Sequence, residues 1–250
     1  MKTTELYKKL NGIIPPELSC SWDNDGLSVL PRPDHESKRI LVSLDVRDEV
    51  IDHAVKNGFD TIVTHHPLIF AKLGELNGST VPSGKAVRLI RADIAAMSFH
   101  TRFDALDGGV SDALCAALGL TPEKKFAEGG CARLCRLEKT SLDAFAKKVK
   151  DVLGGAHFFC EKSGDTVSCA AVCGGSAGDF VPDALAEGAD VFVCGEMRYH
   201  GATDAADSGL TVICAGHYET EAPALCRLAG IVREQSGAYV EIYEVKQYAV

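Results

Sequence analysis

Two adjacent histidines, His65 and His66, close the apolar and β-branched run that follows Asp60, and Pro67 stands directly after them. Such a run reads as a strand buried on both faces. Pro67 ends its ladder by removing a backbone donor. Successive side chains of a strand point to opposite faces, so two neighbouring imidazoles reach one cluster only where the strand ends and the backbone turns. In an open α/β sheet the carboxyl end of a strand is where ligands bind. Neutral imidazole is the commonest metal ligand. The pair therefore suggests two metals side by side, one histidine for each. A pair of surface or capping histidines is the alternative, and the dipeptide alone does not choose between them.

The segments around the pair set the fold class. Residues 39–45 read as a strand, 47–57 as a helix stopped by Gly58, and 60–64 as the next strand. Residues 85–91 are helical, 94–99 form a strand, and 110–119 carry helically spaced apolar residues up to a glycine. This β-α-β-α order implies a mostly parallel sheet with helices on both faces. Near residue 122 the texture changes. Residues 124–130 are polar and glycine-rich; a strand (132–137), a helix (142–152, with Ser141 as a cap) and two strands (157–160 and 166–173) follow. Residues 239–245 read as a final strand. The expectation is two interlinked α/β units: one over 1–122, completed by the C-terminal strand of 236–250, the other over 123–235, with a metal site between them.

The second half echoes the first. Residues 59–66 resemble 189–196, and 93–104 resemble 210–221, so each half has a strand ending in polar groups and another ending in His-x-x-x-acid. Halves related by a pseudo-twofold and facing one site would produce this; so would convergent α/β patterning.

Composition excludes some partners. Lys plus Arg is 26 and Asp plus Glu is 35, a net charge of −9, with no basic run. That argues against duplex DNA or RNA, though not against a nucleotide, because a metal supplies its own local positive charge. No segment approaches the ~18 unbroken apolar residues of a membrane helix, and residues 1–10 read as a helix bearing Leu6 and Leu10, not as a signal peptide. The expected location is the cytoplasm. Ten cysteines include no C-x-x-C pair, and several sit in apolar runs, as Cys194 and Cys214 do. They are expected as reduced, buried thiols rather than disulfides or ligands.

Two further strand ends carry chemistry. His100 to Asp104 and His217 to Glu221 each follow an apolar strand and lead into a helix. Imidazole plus carboxylate suits zinc, iron or manganese. A carboxylate, Glu221 or Asp104, can hold two cations together. A surface ion pair explains either motif alone; three polar strand ends in one chain favour a metal site. Glu196 and His200, four apart after the strand that ends at Cys194, are candidates for general acid and base, or for groups that orient metal ligands.

These pieces together resemble the Nif-three-like family of dinuclear metal proteins, also called the GTP cyclohydrolase I type 2 family. The matching segments are Ser21 to Leu27, Thr64 to Phe70, His100 to Gly109, Gly195 to His200 and Ala215 to Glu221, in family order. The resemblance implies the Nif-three-like fold and five metal ligands, His65, His66, Asp104, His217 and Glu221, with Glu221 bridging two divalent ions and His100 beside the site. It implies a small-molecule substrate, namely opening of the GTP imidazole ring by water attack at C8 with loss of formate, and a homohexameric ring. A non-enzymatic metal-binding ring acting through protein partners is the alternative. Arg102 and Phe103 stand where the family often has Asn-Leu, so Arg102 either binds an anionic substrate or pairs with a carboxylate on the rim. The chain lacks the long middle insertion of some relatives.

Two features stay open. Trp22, the sole tryptophan, is expected to pack under the N-terminal helix in preference to serving as a stacking platform for a base. The turn at Gly174 and Gly175 is expected as a tight turn in preference to a phosphate cradle.

Overall fold

The computed structural model describes residues 1–154, 158–160 and 166–245. The chain runs α1 (Thr3–Ile13), β1 (Gly26–Val29), β2 (Arg39–Ser43), α2 (Asp48–Asn57), β3 (Thr61–Thr64), α3 (Val81–Arg91), β4 (Ala95–Ser98) and α4 (Thr101–Ala105). It continues with α5 (Val110–Ala117), β5 (Pro122–Phe126), β6 (Ala132–Ser141), α6 (Leu142–Leu153), β7 (Phe158–Cys160) and β8 (Thr166–Val172). It closes with α7 (Val181–Ala186), β9 (Val191–Cys194), α8 (Tyr199–Asp207), β10 (Thr211–Cys214), α9 (His217–Glu221), α10 (Leu225–Ser236) and β11 (Tyr239–Ile242). Two compact units result: Met1–Phe103 with the segment that begins at Leu225, and Asp104–Ala224.

The first unit holds a five-stranded sheet in the order β1-β4-β3-β2-β11. Strands β4, β3, β2 and β11 are parallel, and β1 closes the edge antiparallel to β4. Every residue of β3 and β4 is buried, which is why neither alternates apolar with charged residues. Leu41, Ile62 and Ala96 pack with Val50, Ile51 and Ala54 of α2 and with Ala86 and Leu89 of α3. Helix α2 ends where Gly58 takes φ 68°, its N–H reaching back to Ala54 and Val55. Helix α3 begins at Val81, four residues before the expected start, because Thr80 caps it by accepting from the Ser83 N–H and Pro82 fits the first turn.

The second unit holds a six-stranded sheet in the order β5-β6-β8-β9-β10-β7. Its centre, β8-β9-β10, is parallel; the flanking strands pair antiparallel. Ala170, Val172, Val191, Val193 and Ile213 of this centre form one core with Phe145 and Val149 of α6. Ser141 caps α6 as expected, accepting from the Ala144 N–H. Strand β5 occupies part of the stretch read as polar and glycine-rich. Of the expected strand 157–160, residues 158–160 form β7 and His157 lies outside the described residues; β11 ends at Ile242, and residues 246–250 lie outside as well.

The echo read from sequence corresponds to a repeated local topology. In the first unit β3 and β4 lie side by side in parallel and β4 runs into the five-residue helix α4. In the second unit β9 and β10 do the same, and β10 runs into the five-residue helix α9. Each sheet thus presents two adjacent carboxyl strand ends.

Candidate metal centre

In the first unit His65 and His66 follow β3, and His100 follows β4. Their rings form a close triangle, with centroids 4.9 Å apart for His65–His66, 5.2 Å for His65–His100 and 5.5 Å for His66–His100. One ligand nitrogen from each lies within 4.8 Å of the others, a group that can hold a metal ion. His100 thus lies beside His65 and His66, near enough for its ring nitrogen to join theirs.

Each ring is held from behind. His65, 1% exposed, sets Nδ1 3.0 Å from the Phe99 carbonyl oxygen. His66 sets Nδ1 2.9 Å from Asp45 Oδ1, and His100 sets Nδ1 3.0 Å from Asp23 Oδ1. A carbonyl or carboxylate oxygen only accepts, so each ring donates from Nδ1, which leaves Nε2 as the nitrogen a metal would take. Asp23 is itself fixed: its Oδ2 accepts from the Thr101 N–H at 3.1 Å and the Thr101 hydroxyl at 2.6 Å. Burial opposes its ionisation, but the bonds from His100 and Thr101 outweigh burial and hold its carboxyl below the usual carboxylate range.

The second unit repeats the device. His217, at the start of α9, sets Nδ1 3.2 Å from Glu196 Oε1 and Nε2 3.2 Å from Glu221 Oε1. With the proton on Nδ1, a lone pair at Nε2 would face a carboxylate oxygen, an arrangement that requires a proton or a cation between them. Two ligands on one ion at ~2.0–2.2 Å each stand roughly 3 Å apart, which His217 and Glu221 match. The donor set fits a borderline-hard divalent ion.

Glycines place Glu221. Gly175 takes φ +66°, and a Cβ there would stand 2.3 Å from Glu221 Oε1 and 3.3 Å from His217 Nε2. The Gly175 carbonyl accepts from the N–H groups of Gly195 at 2.8 Å and Glu196 at 3.1 Å, while its own N–H donates to Thr220 Oγ1 at 3.1 Å. The turn after β8 is thus a tight turn packed against α9. Glu221 is 4% exposed within this packing.

Other sequence candidates fall in varied places. Asp104 lies on α4, partly buried, and is not among the grouped ligands of the first unit. Glu196 holds His217; His200 is exposed on the first turn of α8. Arg102 is not at the rim. It is fully buried, donates from Nε to Asp25 Oδ2 at 2.7 Å and from Nη1 to Asn11 Oδ1 at 2.8 Å, and lies 4.6 Å from the Phe99 ring centroid. It fastens α1 to α4. Trp22, expected under the N-terminal helix, is instead 55% exposed. It sits at the tip of the turn in which the Asp23 N–H donates to the Cys20 carbonyl.

A cavity of about 150 Å³ opens beside His66, walled by Asp45, Arg47, Pro67, Leu68 and Lys85. Arg47 pairs with Glu49 at 3.2 Å. Sequence reasoning missed Lys85, because a single lysine on a helix carries no motif. Nine cysteines, Cys160 left aside, carry no disulfide, and burial pushes the Cys173 thiol, next to Gly174, well up from its ordinary value, so it stays protonated. Among the described residues no helix is long and apolar enough to cross a membrane.

The model of the Duf34/NIF3 (NGG1p interacting factor 3) family matches residues 1–249. A Clostridium perfringens protein named GTP cyclohydrolase 1 type 2 homolog is 32% identical over 256 residues, covering 99% of this chain and 97% of that protein. A Helicobacter pylori protein named GTP cyclohydrolase 1 type 2 is 33% identical over 220 residues, covering 87% of this chain and 86% of its own. The crystal structure of a Staphylococcus aureus hypothetical protein superposes with a TM-score of 0.88 at 26% identity, covering 100% of this chain and 99% of that one.

Proposed function

The chain belongs to the Duf34/NIF3 family, and from that premise we propose that it is a dinuclear metal-dependent hydrolase of the GTP cyclohydrolase I type 2 kind. His65, His66, Asp104, His217 and Glu221 would hold two divalent ions, zinc, iron or manganese, and Glu221 would be the carboxylate shared between them. The observation that carries this reading is the set of Nδ1 contacts: four imidazoles, His65, His66, His100 and His217, each meet an oxygen acceptor at Nδ1. Metal-ligating histidines are oriented in this way by carbonyls and carboxylates. An isolated surface histidine has no need of it.

When bound, such a metal pair supplies Lewis acidity and a water of lowered pKa. The chain's own residues do the rest. Glu196 holds the His217 ring through Nδ1, and its carboxylate, 60% exposed, is open to exchange a proton with solvent. His200, exposed on the next helix, is the second proton carrier. Lys85 and Arg47 line the cavity beside His66 and supply positive charge for an anionic part of the substrate. The nucleotide class follows the names of the Clostridium perfringens and Helicobacter pylori relatives. The homohexameric ring is part of the same proposal and rests on the family resemblance; light scattering showing a monomer at micromolar concentration removes it.

The test is metal analysis of protein purified without added metal, then incubation of the loaded protein with GTP and a panel of nucleotides and phosphoesters, following formate and phosphate. Two ions per chain and turnover of one panel member are expected. Failure of the loaded protein on the whole panel favours the non-enzymatic, partner-binding alternative.

A further inference from the structure

Trp22 and Phe70 are large aromatic side chains left 55% and 56% exposed. They are not scattered. Their centroids lie 6.0 Å apart, and His100 stands 6.1 Å from each, so two solvent-facing rings flank an imidazole of the metal-competent cluster. The backbone beneath them is tied down. The Cys20 N–H donates to Thr101 Oγ1 at 2.9 Å, and Asp23 is gripped by His100 and Thr101 on the other side of Trp22. Asn24 donates from Nδ2 to the Ile69 carbonyl at 2.6 Å, locking the Trp22 turn to the segment that carries Phe70. The exposure is therefore a property of an anchored surface, not of a loose loop.

We propose that Trp22 and Phe70 form a stacking platform that receives a planar heteroaromatic ring beside His100. The proposal rests on the preceding reading only for the kind of ligand, a purine nucleotide. The spacing defines the mode. A ring inserted between two others needs roughly 7 Å, two contacts of about 3.5 Å. Trp22 and Phe70 are closer than that and inclined by 48°, so they offer outer faces and not a slot. Stacking on such faces tolerates any base, and removing one aromatic from a stacked base costs roughly 5- to 150-fold in affinity. Rigid aromatic anchors lose little on binding because their backbone is already ordered. The platform and the cationic cavity both border the histidine cluster, one at His100 and the other at His66.

Trp22 is the sole tryptophan, so its emission reports the platform directly. The full chain, metal-free and zinc-loaded, is titrated with guanosine, GTP and ribose 5-phosphate. Guanosine and GTP should quench the emission saturably, and ribose 5-phosphate, which has no ring to stack, should not. Phe70→Ala should weaken guanosine binding at least fivefold with zinc content unchanged. Trp22→Ala, followed by calorimetry, should do the same, and Trp22→Phe should recover part of the affinity. Absence of saturable quenching, equal quenching by ribose 5-phosphate, or unchanged affinity in Phe70→Ala overturns the platform. So does dissociation of an oligomer by Trp22→Ala without any effect on guanosine, which would assign the rings to a contact between copies. The two readings fail separately. Guanosine binding without turnover of any substrate removes the hydrolase and keeps the platform. Turnover of GTP with an unchanged KM in Trp22→Ala does the reverse.

Discussion

A Cβ on Gly175 would stand 2.3 Å from Oε1 of Glu221, so the glycine fixes where that carboxylate lies. The atom met is the end of a side chain that can swing away. Gly175→Ala should therefore fold, at a cost of about 1–2 kcal/mol for a left-handed alanine, and should lose most of its bound metal. Gly195 differs, because its Cβ would meet the Gly175 carbonyl oxygen at 2.6 Å and the Gly175 Cα at 2.9 Å. Backbone cannot step aside, and Gly195→Ala should lose more stability than Gly175→Ala. Thermal unfolding and metal analysis of both variants check this; equal metal content in Gly175→Ala and the parent protein would refute it.

Asp45 accepts from His66 at 2.9 Å and is 42% exposed. Its removal costs the fold little and frees the His66 ring to rotate. Asp45→Ala should bind metal roughly 10- to 100-fold more weakly, the usual effect of losing a ligand's supporting acceptor. Asp48→Ala, which removes an exposed partner of Arg88, should leave affinity unchanged. Competition with a chelator measures both.

Arg102 and Asp25 form a buried pair, 1% and 7% exposed. Removing one partner of such a pair leaves an uncompensated charge and costs about 3–5 kcal/mol. Arg102→Ala should show this in urea unfolding. A Lys substitution should recover only a fraction, because one ammonium cannot replace the planar fork that reaches Asp25 and Asn11 together. A stable Arg102→Ala protein with a raised KM for GTP would return Arg102 to the anion-binding role.

Asp112 faces Arg133 through two bonds, 2.7 Å to Nε and 3.0 Å to Nη2. Burial raises its pKa, but the guanidinium and the Gly108 N–H overcome that and hold the carboxyl below its ordinary 3.8. A depressed carboxylate contributes stability above its unfolded value and loses it as pH falls through the folded value. Stability should therefore be flat in this respect above pH ~5 and fall below pH ~4, with a shallower acid slope in Asp112→Asn. Unfolding curves across that range decide it.

How much of this was legible in the sequence depended on burial. Strands β3 and β4 were readable because they carry no charged residue and every position in them is buried. Strand β5 was not, because only Phe126 of its five residues is buried, and an edge strand with exposed lysines looks like a loop. Helix α3 was shortened by Pro82 and Gly84, which break the apolar period without breaking the helix. At the site, the histidines could be placed at strand ends, but Asp45 and Asp23 could not be matched to them, since those contacts span 21 and 77 residues. Trp22 was misjudged because a lone tryptophan is ordinarily core. For Arg102 the sequence leaves anion binding and a carboxylate pair on the rim both open, and only the fold reveals Asp25 and Asn11 closing around it.

The oxygen acceptors behind His65, His66, His100 and His217 have a bearing on which element the protein carries. Rings aimed in advance ask little conformational work of an arriving ion, so selection by refolding around one preferred cation is weak. What remains is the intrinsic affinity order of divalent ions for nitrogen and oxygen donors, which rises from manganese through iron toward copper and falls back at zinc. Occupancy then follows supply: the same chain grown in media of different trace-metal content should be isolated with different ions.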